Sequence, residues 1–220
     1  LPSTPWFEDV ALEWGVDFTY QNGAEGKFHI KEVTGGGAVL FDYNNDGDID
    51  LYIVQGAGVE GNALFENVDS KFVNHSKGSG ADDKGYGIGV TTGDYDNDGD
   101  VDLYVTNIGV NALLRNDGNG KFTDVTTFSG TEDDGFSACS AFGDLDGDGD
   151  LDLVVTKYLD VALITDRECL DARSQRTYCN PTIYDAPMHD SLFINNGDGT
   201  FMDATAASGL SSAKGTGLGV

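Results

Sequence analysis

The chain has 220 residues, 38 Asp and Glu against 12 Lys and Arg, and a formal net charge of −26. So negative a balance excludes nucleic acid and anionic membrane surfaces as natural partners, yet 39% hydrophobic and 10% aromatic residues supply a packed core that a disordered acidic chain lacks. No apolar run approaches the roughly 18–20 residues that span a bilayer, so no transmembrane segment is expected.

In chain order, the leading segment 1–34 carries Trp6-Phe7-Glu8-Asp9-Val10-Ala11, a phrase that returns as Lys121-Phe122-Thr123-Asp124-Val125-Thr126. It predicts the outer strand of a closing blade, placed ahead of any first strand. From Gly35 the pattern becomes periodic, with units at 35–84, 85–134 and 135–214. Each opens with a glycine-rich strand, GGGAVLFDY, GIGVTTGDY or CSAFGDL, and runs into a nine-residue acidic loop. A second strand follows (DLYIVQ, DLYVTN, DLVVTK), then a third (ALFEN, ALLRN, SLFIN). A hairpin turn such as NDGNGK or NNGDGT leads to a fourth (KFVNHS, KFTDVT, TFMDAT).

The period confirms the units. Asp42 to Asp94 is 52 residues, Asp94 to Asp144 is 50, and Phe72 to Phe122 is 50, which is a β-propeller spacing. The sequence therefore predicts an all-β fold of four-stranded antiparallel blades, three complete, with partial blades at both ends. Residues 215–220 resemble Gly85–Val90 and read as the start of a further blade. Three blades are fewer than the usual four to eight, so either the chain is part of a longer protein or further blades of the same or another chain complete the ring.

The acidic loops carry the chemistry. Oxygen side chains stand at positions 1, 3, 5 and 9: Asp42, Asn44, Asp46 and Asp50; Asp94, Asp96, Asp98 and Asp102; Asp144, Asp146, Asp148 and Asp152. Gly47, Gly99 and Gly149 occupy position 6, where a sharp reversal favours a residue without Cβ. Position 7 is expected to offer its backbone carbonyl, leaving the side chains of Asp48, Asp100 and Asp150 turned away. Hard oxygen donors without His or Cys favour Ca²⁺, giving three expected sites. At position 12 stand Ile53, Val105 and Val155, not the bidentate Glu of a helical EF-hand, so the loop is a turn into a strand. Asp, Asn and Gly also dominate ordinary turns, but three copies in register argue against that alone.

From Phe122 to Phe201 is 79 residues where 50 is the period, so the third unit holds an insertion at about 159–188. Cys169 and Cys179, close together inside it, are expected to pair. Cys139 reads as a buried free thiol. Arg167, Arg173, Arg176, Tyr178 and Tyr184 form a candidate loop for an anionic or carbohydrate ligand; alternatively the arginines pair with surplus aspartates and the loop covers an edge. His29, His75 and His189 lack ligand spacing, and Asn74-His75-Ser76 matches a glycosylation acceptor. No Ser/His/Asp or Cys/His arrangement marks a nucleophile, so no enzymatic activity is expected.

The phrases GDYDNDGDVDLYVTN, LLRNDGNGKFTDVT and CLDARSQRTYCNP resemble the FG-GAP or VCBS-type calcium repeat, found also in the head of integrin α subunits, and most resemble the ASPIC/UnbV and cartilage acidic protein group. The resemblance implies a secreted, calcium-stabilised propeller, generally of seven blades, with only the loop residues functional. The expected function is thus a secreted calcium-binding module, extracellular or periplasmic, with a structural or protein- or glycan-binding role. The alternatives are a lectin-like or matrix-binding module using the insertion, and a polysaccharide-active enzyme whose best-placed carboxylates are already committed to metal.

Overall fold

The structure, a computed structural model, describes residues 6–162 and 167–219. Its strands group as the periodicity requires. β1 (Ala38–Phe41), β2 (Asp50–Ile53), β3 (Ala63–Val68) and β4 (Lys71–Asn74) form one antiparallel sheet in sequence order. β5 (Tyr86–Gly93), β6 (Asp102–Ile108), β7 (Ala112–Asn116) and β8 (Phe122–Asp124) form a second. The third joins β9 (Ser137–Gly143) and β10 (Asp152–Lys157) to β13 (Ser191–Asn195) and β14 (Phe201–Asp203). Between β10 and β13 the insertion forms its own two-stranded ribbon, β11 (Cys169–Leu170) with β12 (Arg176–Thr177).

The sheets stack face to face, which follows from strands that are apolar on both sides. β6 is buried from Asp102 to Asn107. Its Leu103 and Val105 pack on Phe41, Tyr52 and Leu64 of the first sheet. Tyr104, one residue out of phase, packs with Leu153, Val155 and Phe193 of the third. Alternation along one strand thus glues the second sheet to both neighbours. A third cluster holds Phe136 and Tyr158 against Ile30, Cys179, Tyr184 and Ala186, so the insertion folds down onto the third sheet and the leading segment.

The junction of the first two sheets also uses the turn after the fourth strand. The backbone oxygen of Ser79 accepts from Phe122 N at 2.7 Å, and Lys121 Nζ donates to Gly78 O at 2.7 Å. Gly80, at φ +84°, lets the chains meet: a Cβ there would lie 2.0 Å from Phe122 O.

Several expectations need correction. Trp6–Val10 forms no strand; Trp6 and Phe7 are 96% and 91% exposed. The resemblance to Lys121–Thr126 marks a different contact. Just beyond it, Trp14 O accepts from Phe72 N at 2.6 Å and Glu13 O from Lys71 Nζ at 2.8 Å. This is the relation that Ser79 and Gly78 have to Phe122 and Lys121, so the leading segment supplies the turn that follows a fourth strand. The all-β reading holds, with two one-turn helices among the described residues, α1 (Thr126–Ser129) and α2 (Thr205–Ser208). Asp124 and Asp203 accept from the backbone of Thr126 and Thr205, and Gly130 and Gly209 end them in the left-handed region. Cys139 is half-buried, as are Ala138, Ala141 and Phe142 along β9. Gly217 N donates to Lys157 O at 2.9 Å, as Gly87 N does to Gln55 O at 3.0 Å where the second unit begins, and Gly215 forms an isolated bridge with Met188; residue 220 lies outside the described residues.

Candidate metal centre

The three acidic loops are the turns between β1 and β2, β5 and β6, and β9 and β10. Ladder pairs Phe41 with Asp50, Gly93 with Asp102, and Gly143 with Asp152 close each one. Gly47, Gly99 and Gly149 sit at φ 92°, 94° and 99°, the left-handed reversal read from the sequence. Their amides donate to the position-1 carboxylates: Gly47 N to Asp42 at 2.9 Å, Gly99 N to Asp94 at 3.0 Å, Gly149 N to Asp144 at 3.2 Å. Position 5 accepts from position 7, as in Asp98 Oδ1 from Asp100 N at 2.9 Å. The backbone thus winds around its own carboxylates and holds their remaining lone pairs inward.

Position 9 behaves differently. Asp50, Asp102 and Asp152 are at most 1% exposed. Asp102 Oδ2 accepts from Tyr95 N at 3.1 Å and Oδ1 from Asn116 N at 2.7 Å. Asp50 does the same with Tyr43 and Asn67, and Asp152 with Leu145 and Asn195. Both oxygens are in use, so this residue ties the loop to the third strand whatever else it binds.

Carboxylate oxygens of Asp94, Asp96 and Asp98 lie within 4.8 Å of one another, as do those of Asp144, Asp146 and Asp152. Asp96 Oδ1 is buried without a hydrogen-bond partner, an acceptor with nothing to accept from. Burial pushes the carboxyls of Asp50 and Asp96 above the usual carboxylate range. Burial lifts Asp102 to about 8, with the charges of Asp96 and Asp98 adding to it and the N–H donors of Asn116 and Tyr95 opposing. Crowded, desolvated carboxylates with one orphaned oxygen are what a divalent cation would relieve, and its charge would reverse those shifts. In the first loop an amide replaces one charge: Asn44 Nδ2 donates to Asp46 Oδ2 at 2.9 Å and its Oδ1 accepts from Asp46 N at 3.2 Å.

At position 7 the side chain of Asp48 is exposed. Asp100 Oδ1 instead accepts from Asn45 Nδ2 of the first loop at 2.6 Å, and Asp150 Oδ1 from Asn97 Nδ2 of the second at 2.7 Å. Sequence reasoning also passed over the asparagine closing each third strand. Asn116 Nδ2 donates to Tyr43 O at 2.8 Å and Asn195 Nδ2 to Tyr95 O at 2.8 Å, stitching each loop to the preceding one. The signal was present, since ALFEN, ALLRN and SLFIN all end on it.

In the insertion, Cys169 and Cys179 form the expected disulfide, their Cα atoms 5.3 Å apart. The candidate ligand residues separate. Tyr184 is buried in the core, Tyr178 donates to Glu32 Oε2 at 3.1 Å, and Arg176 pairs with Glu168. Arg173 is exposed on the ribbon turn. Arg167 and Arg176 line a cavity of about 330 Å³ with Lys27, Phe28, His29 and Thr177. Of the histidines, His75 Nε2 lies 3.0 Å from Glu66 and His189 Nδ1 lies 3.0 Å from Ala213 O.

These are repeat units of a known kind. The FG-GAP-like repeat matches twice, at residues 42–105 and 94–155, which together span more than half of the chain. The chain belongs to that family. Among solved structures it resembles a lectin from Agrocybe aegerita, whose structure concerns specific recognition of non-reducing terminal N-acetylglucosamine. The identity is 19% and the TM-score 0.43, over 77% of this chain and 38% of that one. The chain thus spans less than half the length of that structure. No curated protein matches it.

Proposed function

We propose that the chain is a calcium-binding β-propeller segment that acts as a non-catalytic interaction module outside the cytoplasm, with Ca²⁺ locking the inner hairpin of each blade. The observation that carries it is one oxygen-lined turn built three times with the same hydrogen bonds, at the same place in each sheet. Positions 1, 3 and 5 and the position-7 carbonyl would hold the ion, which neutralises the loop and fixes its shape. The disulfide agrees with an oxidising compartment, and no helix among the described residues is long and apolar enough to cross a membrane. The propeller reading draws support from Leu145: it is 57% exposed, whereas Tyr43 and Tyr95 at the same loop position are covered by Phe122 and Phe201 of the next sheet. The motifs given above favour the ASPIC/UnbV and cartilage acidic protein group within that family.

Thermal melts with about 1 mM calcium and with excess chelator test the metal role. At a hundred times its dissociation constant one bound ion adds about 2.7 kcal/mol, which for a chain of this length raises Tm by roughly 5–10 °C per site. An unchanged melt sinks the proposal.

A second reading rests on the cavity beside the disulfide. Lys27, His29, Arg167 and Arg176 give it basic side chains, with Lys27 paired to Glu25 and Arg176 to Glu168, which also lines it, and Phe28 gives it an aromatic wall. This suits an acidic glycan. A glycan array probed with the chain and with Arg167→Ala/Arg176→Ala separates it from the first reading, since the variant should lose binding and keep its calcium-dependent melt.

A further inference from the structure

Position 4 of the first two loops is asparagine, Asn45 and Asn97, each at φ 58°. The turn does not require it. In the third loop the same position is Gly147, at φ 85°, and the loop still closes with Gly149 N on Asp144 Oδ2. Left-handed backbone costs glycine least, so asparagine at these two positions is kept for its side chain. Both amides cross the junction to the next loop: Asn45 Nδ2 to Asp100 Oδ1 at 2.6 Å, Asn97 Nδ2 to Asp150 Oδ1 at 2.7 Å. The receiving residue is position 7, whose carbonyl is the expected ligand and whose N–H is already tied to position 5. Gly118 makes room on the far side, because a Cβ there would come within 3.1 Å of Asp100 Oδ2.

We infer that Asn45 and Asn97 are coupling residues, through which a cation bound in one loop raises the affinity of the next for its own; the inference rests on the calcium reading above. A loop of like charges resists its own compact turn until a cation gathers positions 1, 3 and 5 around itself. Position 4 lies between two of those residues and is fixed with them. The fixed amide then holds Asp100, and with it the position-7 peptide, in the arrangement that the second loop needs. Linkage makes the effect reciprocal, so loading the second loop favours the first equally. The acceptor is charged, which places the bond among the stronger ones, but the groups are exposed, so the expected coupling is near the low end of the usual range, about fivefold.

Calcium titration of the whole ¹⁵N-labelled chain, followed at the Gly47, Gly99 and Gly149 amides, reports each loop separately. Asp46→Ala disables the first loop at an exposed position and should raise the midpoint at Gly99 about fivefold. Asn45→Gly, which copies the third loop's residue, should raise it comparably, and adding Asp46→Ala to Asn45→Gly should raise it no further. Asn97→Gly with Asp98→Ala, read at Gly149, repeats the cycle one junction on. The inference is overturned if Asp46→Ala leaves the Gly99 midpoint unchanged, or if its effect persists in full in Asn45→Gly, which would route the coupling around the amide. If none of the three glycine amides responds in the unsubstituted chain, it is the calcium reading that fails.

Discussion

Removing the position-9 carboxylate of the second loop separates architecture from metal binding. In Asp102→Ala two buried backbone donors, Tyr95 N and Asn116 N, lose their acceptors together. An unsatisfied buried donor costs about 1–3 kcal/mol, so the pair amounts to about 2–6 kcal/mol. Part of this is offset, because burial of the carboxylate itself, visible in its pKa of about 8, is relieved. The net expectation is a loss of about 2–4 kcal/mol, or roughly 5–15 °C in Tm at this chain length. The loss should appear in excess chelator, where no ion can contribute. Asp98→Ala is the contrast: Asp98 is exposed and accepts one bond, from Asp100 N, so its cost in chelator should stay within about 1 kcal/mol while calcium stabilisation falls. Differential scanning calorimetry of the three chains with and without chelator reads both effects. If Asp102→Ala melts with the unsubstituted chain in chelator, position 9 is a ligand only and the hydrogen-bond argument is wrong.

Other consequences follow from the packing. Leu103→Ala, fully buried between the first two sheets, should cost about 2–5 kcal/mol in urea unfolding. Gly80→Ala should be more harmful than a surface change, since its Cβ would meet Phe122 O in a backbone conformation unfavourable to alanine; a Tm within a degree or so of the unsubstituted chain would refute the close approach. Cys169→Ser/Cys179→Ser opens a loop with a sequence separation of 10 and should lower stability by about 2–3 kcal/mol, with protease cleavage appearing first in the insertion.

How much was legible can be seen residue by residue. Alternating and β-branched runs placed the strands, and the period placed the loops, because both depend on local chemistry repeated three times. The pairing of Cys169 with Cys179 followed from their nearness in sequence. Trp6–Ala11 resembles a strand that needs a third-strand partner, and among the described residues it has none. Asn45, Asn97, Asn116 and Asn195 were overlooked for a related reason: an asparagine in a turn or at a strand end already has a local explanation, and only stacked sheets show that its amide reaches the neighbouring loop. Tyr184 looked available beside the arginines, yet the Phe136–Tyr158 pair draws it into the core.

Isothermal titration of the chelator-stripped chain with calcium chloride asks whether the three loops hold calcium. About three ions should bind per chain, one for each loop, with one fewer after Asp94→Ala/Asp98→Ala. Saturating calcium that produces no binding heat and no change in hydrodynamic size or melting would contradict it.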